Sequence, residues 1–332
     1  MKKWMSLFLT AAVIAGLTGC GSKPAPEAST PSQAQTETAK VDESQSTKTF
    51  TIGFSVGDLS GQFPKNFTEA FEAKAKENPD IVYKIQDARG DIANQISQIE
   101  NFITEKVDVI ILQPFDTEAL NDVVIQANEA GIPVIQINTR TTGGEYTYIG
   151  SNDYDAGVMQ GEFFKDKLPE NAKICLMLGT LGHSGQTERS RGWAESILKE
   201  RPDIEVLAEQ SGNWQRAQGM TMMEDWLQNY PQIDAVLSQN DEMIMGALEA
   251  IKASGRESEI MTCGVDAIPD ALQAVKDGVL TMTVFQDAKG QGEQAYQCAM
   301  MVRDGKTLEA EYMIPFIAIT EENAADFETT NQ

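Results

Sequence analysis

Side-chain amides, carboxylates, guanidinium groups and aromatic rings recur in short clusters along this 332-residue chain. Asp58, Ser60, Gln62 and Phe63 form one cluster, and Asn138, Thr139 and Arg140 another; Gln239, Asn240 and Asp241 follow, then Asp266 and then Gln286. Planar amides, carboxylates and guanidinium forks suit vicinal hydroxyls, because each can meet two adjacent oxygens with two hydrogen bonds. Aromatic faces at Phe63 and Trp214 suit the C–H side of a sugar ring. Taken singly, an Asn or Asp of this kind reads equally well as a helix cap. Taken together, the clusters favour a site for a small polyhydroxylated molecule.

Other chemistries find little support. The chain holds one histidine, His183, which leaves no two-histidine metal site. It sits in "GTLGHSGQTER", where it reads either as a hydrogen-bonding group of a cleft or as a loop residue satisfied locally. Ser184 invites comparison with a nucleophile elbow, but Gln186 stands where G-x-S-x-G needs its last glycine. Gly290, Gly292 and Ala295 satisfy G-x-G-x-x-A, late in the chain and beside Gln286, where helix packing explains them better than a dinucleotide. There is no EF-hand spacing, and no metal or cofactor is expected. Asp58 and Asp266 are the carboxylate pair a glycosidase would use; binding of ligand hydroxyls is the preferred reading, so no enzyme is expected.

The chain begins with Lys2 and Lys3, followed by an apolar run from Trp4 to Leu17, too short to span a bilayer and typical of a signal peptide over 1–19. Leu17, Thr18, Gly19 and Cys20 resemble a bacterial lipobox, in which Cys20 carries the lipid. Several acyl chains make such an anchor durable where one holds weakly. Residues 20–47 are Ser, Thr, Pro, Ala, Gln and Glu with almost no large apolar group, a composition that cannot bury enough surface to offset chain entropy. As a flexible tether this stretch spans roughly 30 Å. The formal charge of -24 repels nucleic-acid phosphates and excludes a DNA or RNA role. Cys175, Cys263 and Cys298 lie in apolar segments without a CxxC motif and read as buried free thiols. The 14 methionines are scattered and read as core filler.

These clusters must be positioned by the folded part, which alternates short β-branched runs with amphipathic stretches. Thr51–Val56, Ile81–Gln86, Val107–Leu112 and Pro133–Ile137 read as strands, and the same grammar resumes after Gly150 with Lys173–Leu178, Ile204–Ala208, Ala235–Leu237, Glu259–Val265 and Leu280–Phe285. Between them Ile92, Ile96, Ile99 and Ile103 mark one helical stripe, and Leu120, Val123, Val124 and Ala127 another. Near-continuous apolar strands with helical crossovers predict parallel sheets covered on both faces. The fold class is α/β: two Rossmann-like lobes, each a parallel sheet flanked by helices. Ligands of such sheets bind beyond the carboxyl ends of the strands, where the polar clusters fall.

"QNDEM" from Gln239, with Gly246 and Ala247, "GVDAIPDA" from Gly264 and "ERSRGW" from Glu188 resemble the ribose-type periplasmic sugar-binding proteins of ABC importers, nearly throughout from Thr49 onward. The resemblance implies that Arg189, Trp214, Asn240, Asp266 and Gln286 hold a sugar, and that Phe63 occupies the family's aromatic position. It also implies three hinge strands, with a first lobe of 48–152 plus 287–314 and a second of 153–286 plus 315–332. The first-lobe half of the site departs from the pattern. The family's serine, asparagine and second aromatic are absent near Gly57, Gly61 and Pro64, and its Asp-Arg pair is replaced by Asn138 and Thr139. Arg140 is then the candidate substitute arginine, and Asp58 and Gln62 the candidate acceptors. A neutral aldose or a cyclitol is expected ahead of ribose; a sugar acid is the lesser candidate, should Arg140 and Arg189 both face the cleft. The implied protein is a monomeric, lipid-anchored binding protein on the extracytoplasmic face of the cell membrane. It delivers its ligand to an ABC transporter permease by cleft closure, or alternatively presents it to a membrane sensor or chemoreceptor. A sugar-responsive repressor would need a basic helix-turn-helix where this chain has its lipobox.

Overall fold

The computed structural model describes residues 49–327. The signal peptide, Cys20 and the tether lie outside the described residues. Two six-stranded sheets form the folded part. The first runs in the order β11 (Glu311–Met313), β5 (Thr147–Gly150), β4 (Val134–Ile137), β3 (Val109–Gln113), β1 (Phe50–Val56) and β2 (Ile81–Asp87). The second runs β12 (Ile317–Thr320), β10 (Met282–Phe285), β9 (Met261–Cys263), β8 (Ala235–Ser238), β6 (Lys173–Leu178) and β7 (Glu205–Ser211). Helices α1 (Gln62–Lys76), α2 (Ile92–Glu105), α3 (Asn121–Glu129) and α9 (Ala288–Arg303) cover the first sheet; α4 (Asp153–Lys165), α5 (Ser184–Trp193), α6 (Arg216–Asn229), α7 (Asp241–Ser254) and α8 (Pro269–Lys276) cover the second. The chain passes between sheets three times: after β5, after β10, and between β11 and β12.

Strand alternation explains the two-sided burial. On β3, Val109 and Ile111 enter the core shared with Phe54, Phe67 and Phe71, while Ile110 and Leu112 enter the opposite one with Ile99 and Phe102. On β6, Ile174 and Leu176 face one core, and Cys175 and Met177 the other. Cys175, Cys263 and Cys298 are buried and free. Gly292 lets α9 lie against the Phe67 carbonyl of α1, and Ala295 joins the same core; the late glycine pattern therefore serves helix packing.

Four details correct the sequence expectation. Strand β12 pairs antiparallel with β10, so the second sheet is not wholly parallel. β5, β11 and β12 were not anticipated; each has only three or four residues, and β11 and β12 expose outward side chains that break the apolar pattern. The strand expected over Glu259–Val265 narrows to β9; Gly264 still bonds to β10, its N–H donating to the Met282 carbonyl and its carbonyl accepting from Val284 N, both at 3.2 Å, and from Gln160 Nε2 at 2.9 Å. On α2 the deepest stripe is Gln95, Gln98, Ile99 and Phe102, with Ile92, Ile96 and Ile103 only partly buried. Its glutamines tie strand ends together: Gln95 Nε2 donates to the Gln113 carbonyl at 2.8 Å, its Oε1 accepts from Phe115 N at 3.0 Å, and Gln98 Oε1 accepts from Ser55 Oγ at 2.8 Å. A buried amide needs such partners, so these bonds fix the loops that follow β1 and β3.

Candidate ligand-binding cleft

One cavity of about 80 Å³ collects polar groups from both lobes. Asp58, Ser60, Gln62, Phe63, Gln113, Phe115 and Asn138 line it from the first lobe, and His183, Arg189, Asn213, Trp214, Asn240, Glu242, Asp266 and Gln286 from the second. A water needs about 10–15 Å³ on this measure, so the cavity holds several water-sized groups. The lobes also touch at its rim, where Thr117 N donates to the Gly182 carbonyl at 3.2 Å.

The two halves are built alike. Gln113 ends β3, and its Oε1 accepts from Gly57 N, just past β1, at 2.8 Å. Gln239 follows β8, and its Oε1 accepts from Gly179 N, just past β6, at 2.8 Å. Each glutamine thus pins the neighbouring strand's exit and aims the loop that lines the cavity. Backbone strain concentrates there as well: Asn138, Asn213, Trp214 and Asp266 have φ of 66°, 51°, 64° and 117°. Non-glycine residues in this region cost on the order of 1–3 kcal/mol each and persist only where surrounding contacts over-determine them.

Arg189 is the hub of the second lobe. It is 4% exposed; its Nε and Nη2 reach Asp153 Oδ1 at 3.0 and 2.8 Å, Nη1 donates to the Gln239 carbonyl, and Nη2 donates to Gln286 Oε1 at 3.2 Å. This orients Gln286, whose buried Nε2 has no partner among the described residues; the buried indole Nε1 of Trp214 has none either. Asp266 is 8% exposed, and no hydrogen bond reaches its carboxylate among those of the described residues. Burial pushes this carboxyl up to about 7 against the pull of Arg189. Asn240 both caps α7, accepting from Met243 N at 3.1 Å, and lines the cavity, donating Nδ2 to the Trp214 carbonyl at 3.1 Å. His183 caps α5 through Nδ1, which accepts from Gly185 N at 3.2 Å, and packs edge-on against Trp214. Burial and then the Arg189 cation push its imidazole down to about 3. It is therefore neutral, with its proton on Nε2.

Ten of the eleven candidate ligand residues read from the sequence line this cavity. Arg140 does not. Its Nη1 pairs with Glu311 Oε1 at 2.7 Å and its guanidinium lies 4.0 Å over the Tyr148 ring. Both partners come from β5 and β11, two of the strands that were not anticipated. Arg189 is thus the arginine of the cavity lining, which also carries Asp58, Glu242 and Asp266, and the premise for an acidic ligand fails. Sequence reasoning missed Gln113, Phe115, Asn213 and Glu242. The rule that ligands sit beyond strand ends reaches the first two when applied to the third strand, and Glu242 lies inside "QNDEM", but nothing local distinguishes Asn213.

Residues 52–307 match the family model described as a periplasmic binding protein domain. This chain belongs to the periplasmic binding protein family. Among its relatives, a putative rhizopine-binding protein of Rhizobium meliloti is 35% identical over 85% of this chain and 93% of that one. The ribose import binding protein RbsB of Bacillus subtilis is 34% identical over 95% of this chain and 98% of its own length. The structure of an ABC transporter solute binding protein from Bacillus halodurans with bound myo-inositol superposes with a TM-score of 0.80 at 36% identity, covering 85% of this chain and 98% of the other. Among the described residues of this periplasmic binding protein, no His, Cys, Asp and Glu cluster could hold a metal, and no helix is long and apolar enough to cross a membrane.

Gly179 bears directly on the site, because a Cβ added there would overlap the Trp214 indole. Gly179→Ala is expected to displace that ring and weaken ligand binding at least tenfold, with a melting temperature within a few degrees of wild type. Calorimetric titration and thermal denaturation measure the two effects.

Proposed function

We propose that this periplasmic binding protein captures a neutral monosaccharide or cyclitol outside the cytoplasm and hands it, unaltered, to an ABC importer. The observation that carries the reading is the set of unmet hydrogen-bonding groups on residues that line one cavity: the buried Gln286 Nε2 and Trp214 Nε1 donors and the Asp266 carboxylate acceptor. Hydroxyl groups both donate and accept, so a polyol answers all three, whereas an apolar ligand would leave them buried and unpaired at about 1–3 kcal/mol each. The myo-inositol complex of the Bacillus halodurans relative and the ribose and rhizopine proteins support this ligand class. Asp58, Gln62, Phe63 and Asn138 from the first lobe complete the set of contacts. A ligand shifts closure only by binding the closed form more tightly, so contacts from both lobes are needed. The proposed anchor is a lipid on Cys20, with the acidic segment after it as tether.

Thermal denaturation against a panel of pentoses, hexoses, pentitols and inositols tests the ligand class. A true ligand at about 100 times its Kd is expected to add about 2.7 kcal/mol of stability, while a sugar acid of the same skeleton adds less. A panel without any stabilising member would reject the reading. For the anchor, Cys20→Ala should release the protein from the membrane fraction.

A further inference from the structure

Asp241 lies within "QNDEM", beside the cavity residue Asn240, yet it is fully buried and does not line the cavity. Its surroundings are one short turn. Its backbone N–H donates to the Val265 carbonyl at 2.7 Å. Its Oδ2 accepts from Ile268 N at 3.0 Å, and its Oδ1 from Thr283 Oγ1 at 2.7 Å. Gly264 meets it so closely that an added Cβ would overlap Oδ1. One side chain therefore touches both ends of the 264–268 segment and the adjoining strand β10. At the centre of that segment stands Asp266, with φ 117°, followed by Ala267 at 57°.

An Asp at φ 117° does not hold itself there, because this region is strained for any residue with a Cβ. Carbonyl and amide bonds to β10 contribute, Asp266 N to the Val284 carbonyl at 2.8 Å and Gln286 N to the Asp266 carbonyl at 3.3 Å, but they fix only one edge of the turn. From this geometry we infer that Asp241 is a positioning residue for ligand recognition: its carboxylate clamps the 264–268 turn and so aims the Asp266 carboxylate into the cleft. The inference rests on the cleft reading above. Burial also raises the Asp241 carboxyl well above the ordinary range, and a neutral acid in this place still accepts from Ile268 N and bonds with Thr283. An amide keeps that pattern, whereas alanine loses it.

The contrast between Asp241→Ala and Asp241→Asn tests the inference. In amide hydrogen exchange of the ligand-free protein, Asp241→Ala is expected to speed exchange at Ile268 at least tenfold, with first-lobe rates unchanged, and Asp241→Asn to stay near wild type. Wild-type exchange at Ile268 in the alanine variant would overturn it. Titration with myo-inositol as probe should show binding at least tenfold weaker for Asp241→Ala and within about threefold of wild type for Asp241→Asn. On an Asp266→Asn background the same alanine substitution is expected to cost less than about threefold, since the carboxylate being aimed is gone. Equal losses on both backgrounds would instead indicate general loosening of the lobe and defeat the idea. If the unsubstituted protein does not take up myo-inositol, that failure belongs to the ligand class, and the exchange rates alone decide. Should Asp241→Ala not fold, Thr283→Val removes the hydroxyl that bonds Oδ1 and carries the same tests, with an expected loss of about threefold to tenfold.

Discussion

Asp266→Asn is expected to weaken binding of the cognate polyol by at least 100-fold while making the ligand-free protein more stable at pH 8. The two effects share one origin. The carboxylate is buried without a hydrogen bond to it among the described residues and sits at about 7. Hydroxyl bonds to a charged acceptor contribute about 1.5–3 kcal/mol each; asparagine removes the charge and puts an Nδ2 donor where the second oxygen accepted, so losing two such bonds costs about 3–6 kcal/mol, or roughly 10²- to 10⁴-fold in Kd. Without ligand, the same group opposes folding. An unfolded aspartate releases its proton near pH 4, whereas the folded protein keeps it up to about 7. The stability contributed by this group is therefore highest below pH 4, falls as pH rises from about 4 to about 7, and is flat above, a drop of about 4 kcal/mol at 1.36 kcal/mol per pH unit. The asparagine variant loses that slope. Ligand hydroxyls favour the ionised form, so wild-type affinity should fall as pH falls below about 7, and uptake near pH 6 should release a proton. Calorimetry in buffers of different ionisation enthalpy reads the proton, and urea denaturation at pH 5 and pH 8 reads the slope. Equal stability of the two proteins at both pH values would refute this account of Asp266.

The largest stability effect is expected at Arg189. Arg189→Met removes the cation from a buried pair, in which Asp153 and Arg189 side chains are 7% and 5% exposed. It strands the Asp153 carboxylate, which burial already raises, and leaves the Gln239 carbonyl and Gln286 Oε1 without their donor. Breaking one side of a buried ion pair costs about 3–5 kcal/mol. The double variant Asp153→Asn, Arg189→Met should regain much of that stability, since no buried charge is then unpaired. It should not regain binding, because Gln286 has still lost the bond from Arg189 that orients its amide. Recovery of both properties together would show that Arg189 serves the fold alone.

The sequence made the alternation of strand and helix legible, because strands buried on both faces must be apolar almost throughout. Val109 to Leu112 read clearly for that reason, with alternate residues feeding opposite cores. Short sheet edges did not read. Glu311–Met313 and Ile317–Thr320 carry exposed side chains on one side, which erases the signal. That blind spot propagated into the site: without β11 there is no Glu311, and Arg140 looks free to turn inward.

Local chemistry fixed which residues were fit to meet hydroxyls and that they follow strands, since residue type and a period of two are properties of a short stretch. Which of them meet across the cleft, and which are spent on the protein itself, depended on partners more than 20 positions away. Arg140 is taken by Glu311, Asp241 by Ile268 and Thr283, and Arg189 by Asp153 and Gln286. A buried polar group must be paired by something, and only the packed lobes decide whether that partner is another side chain or the bound molecule.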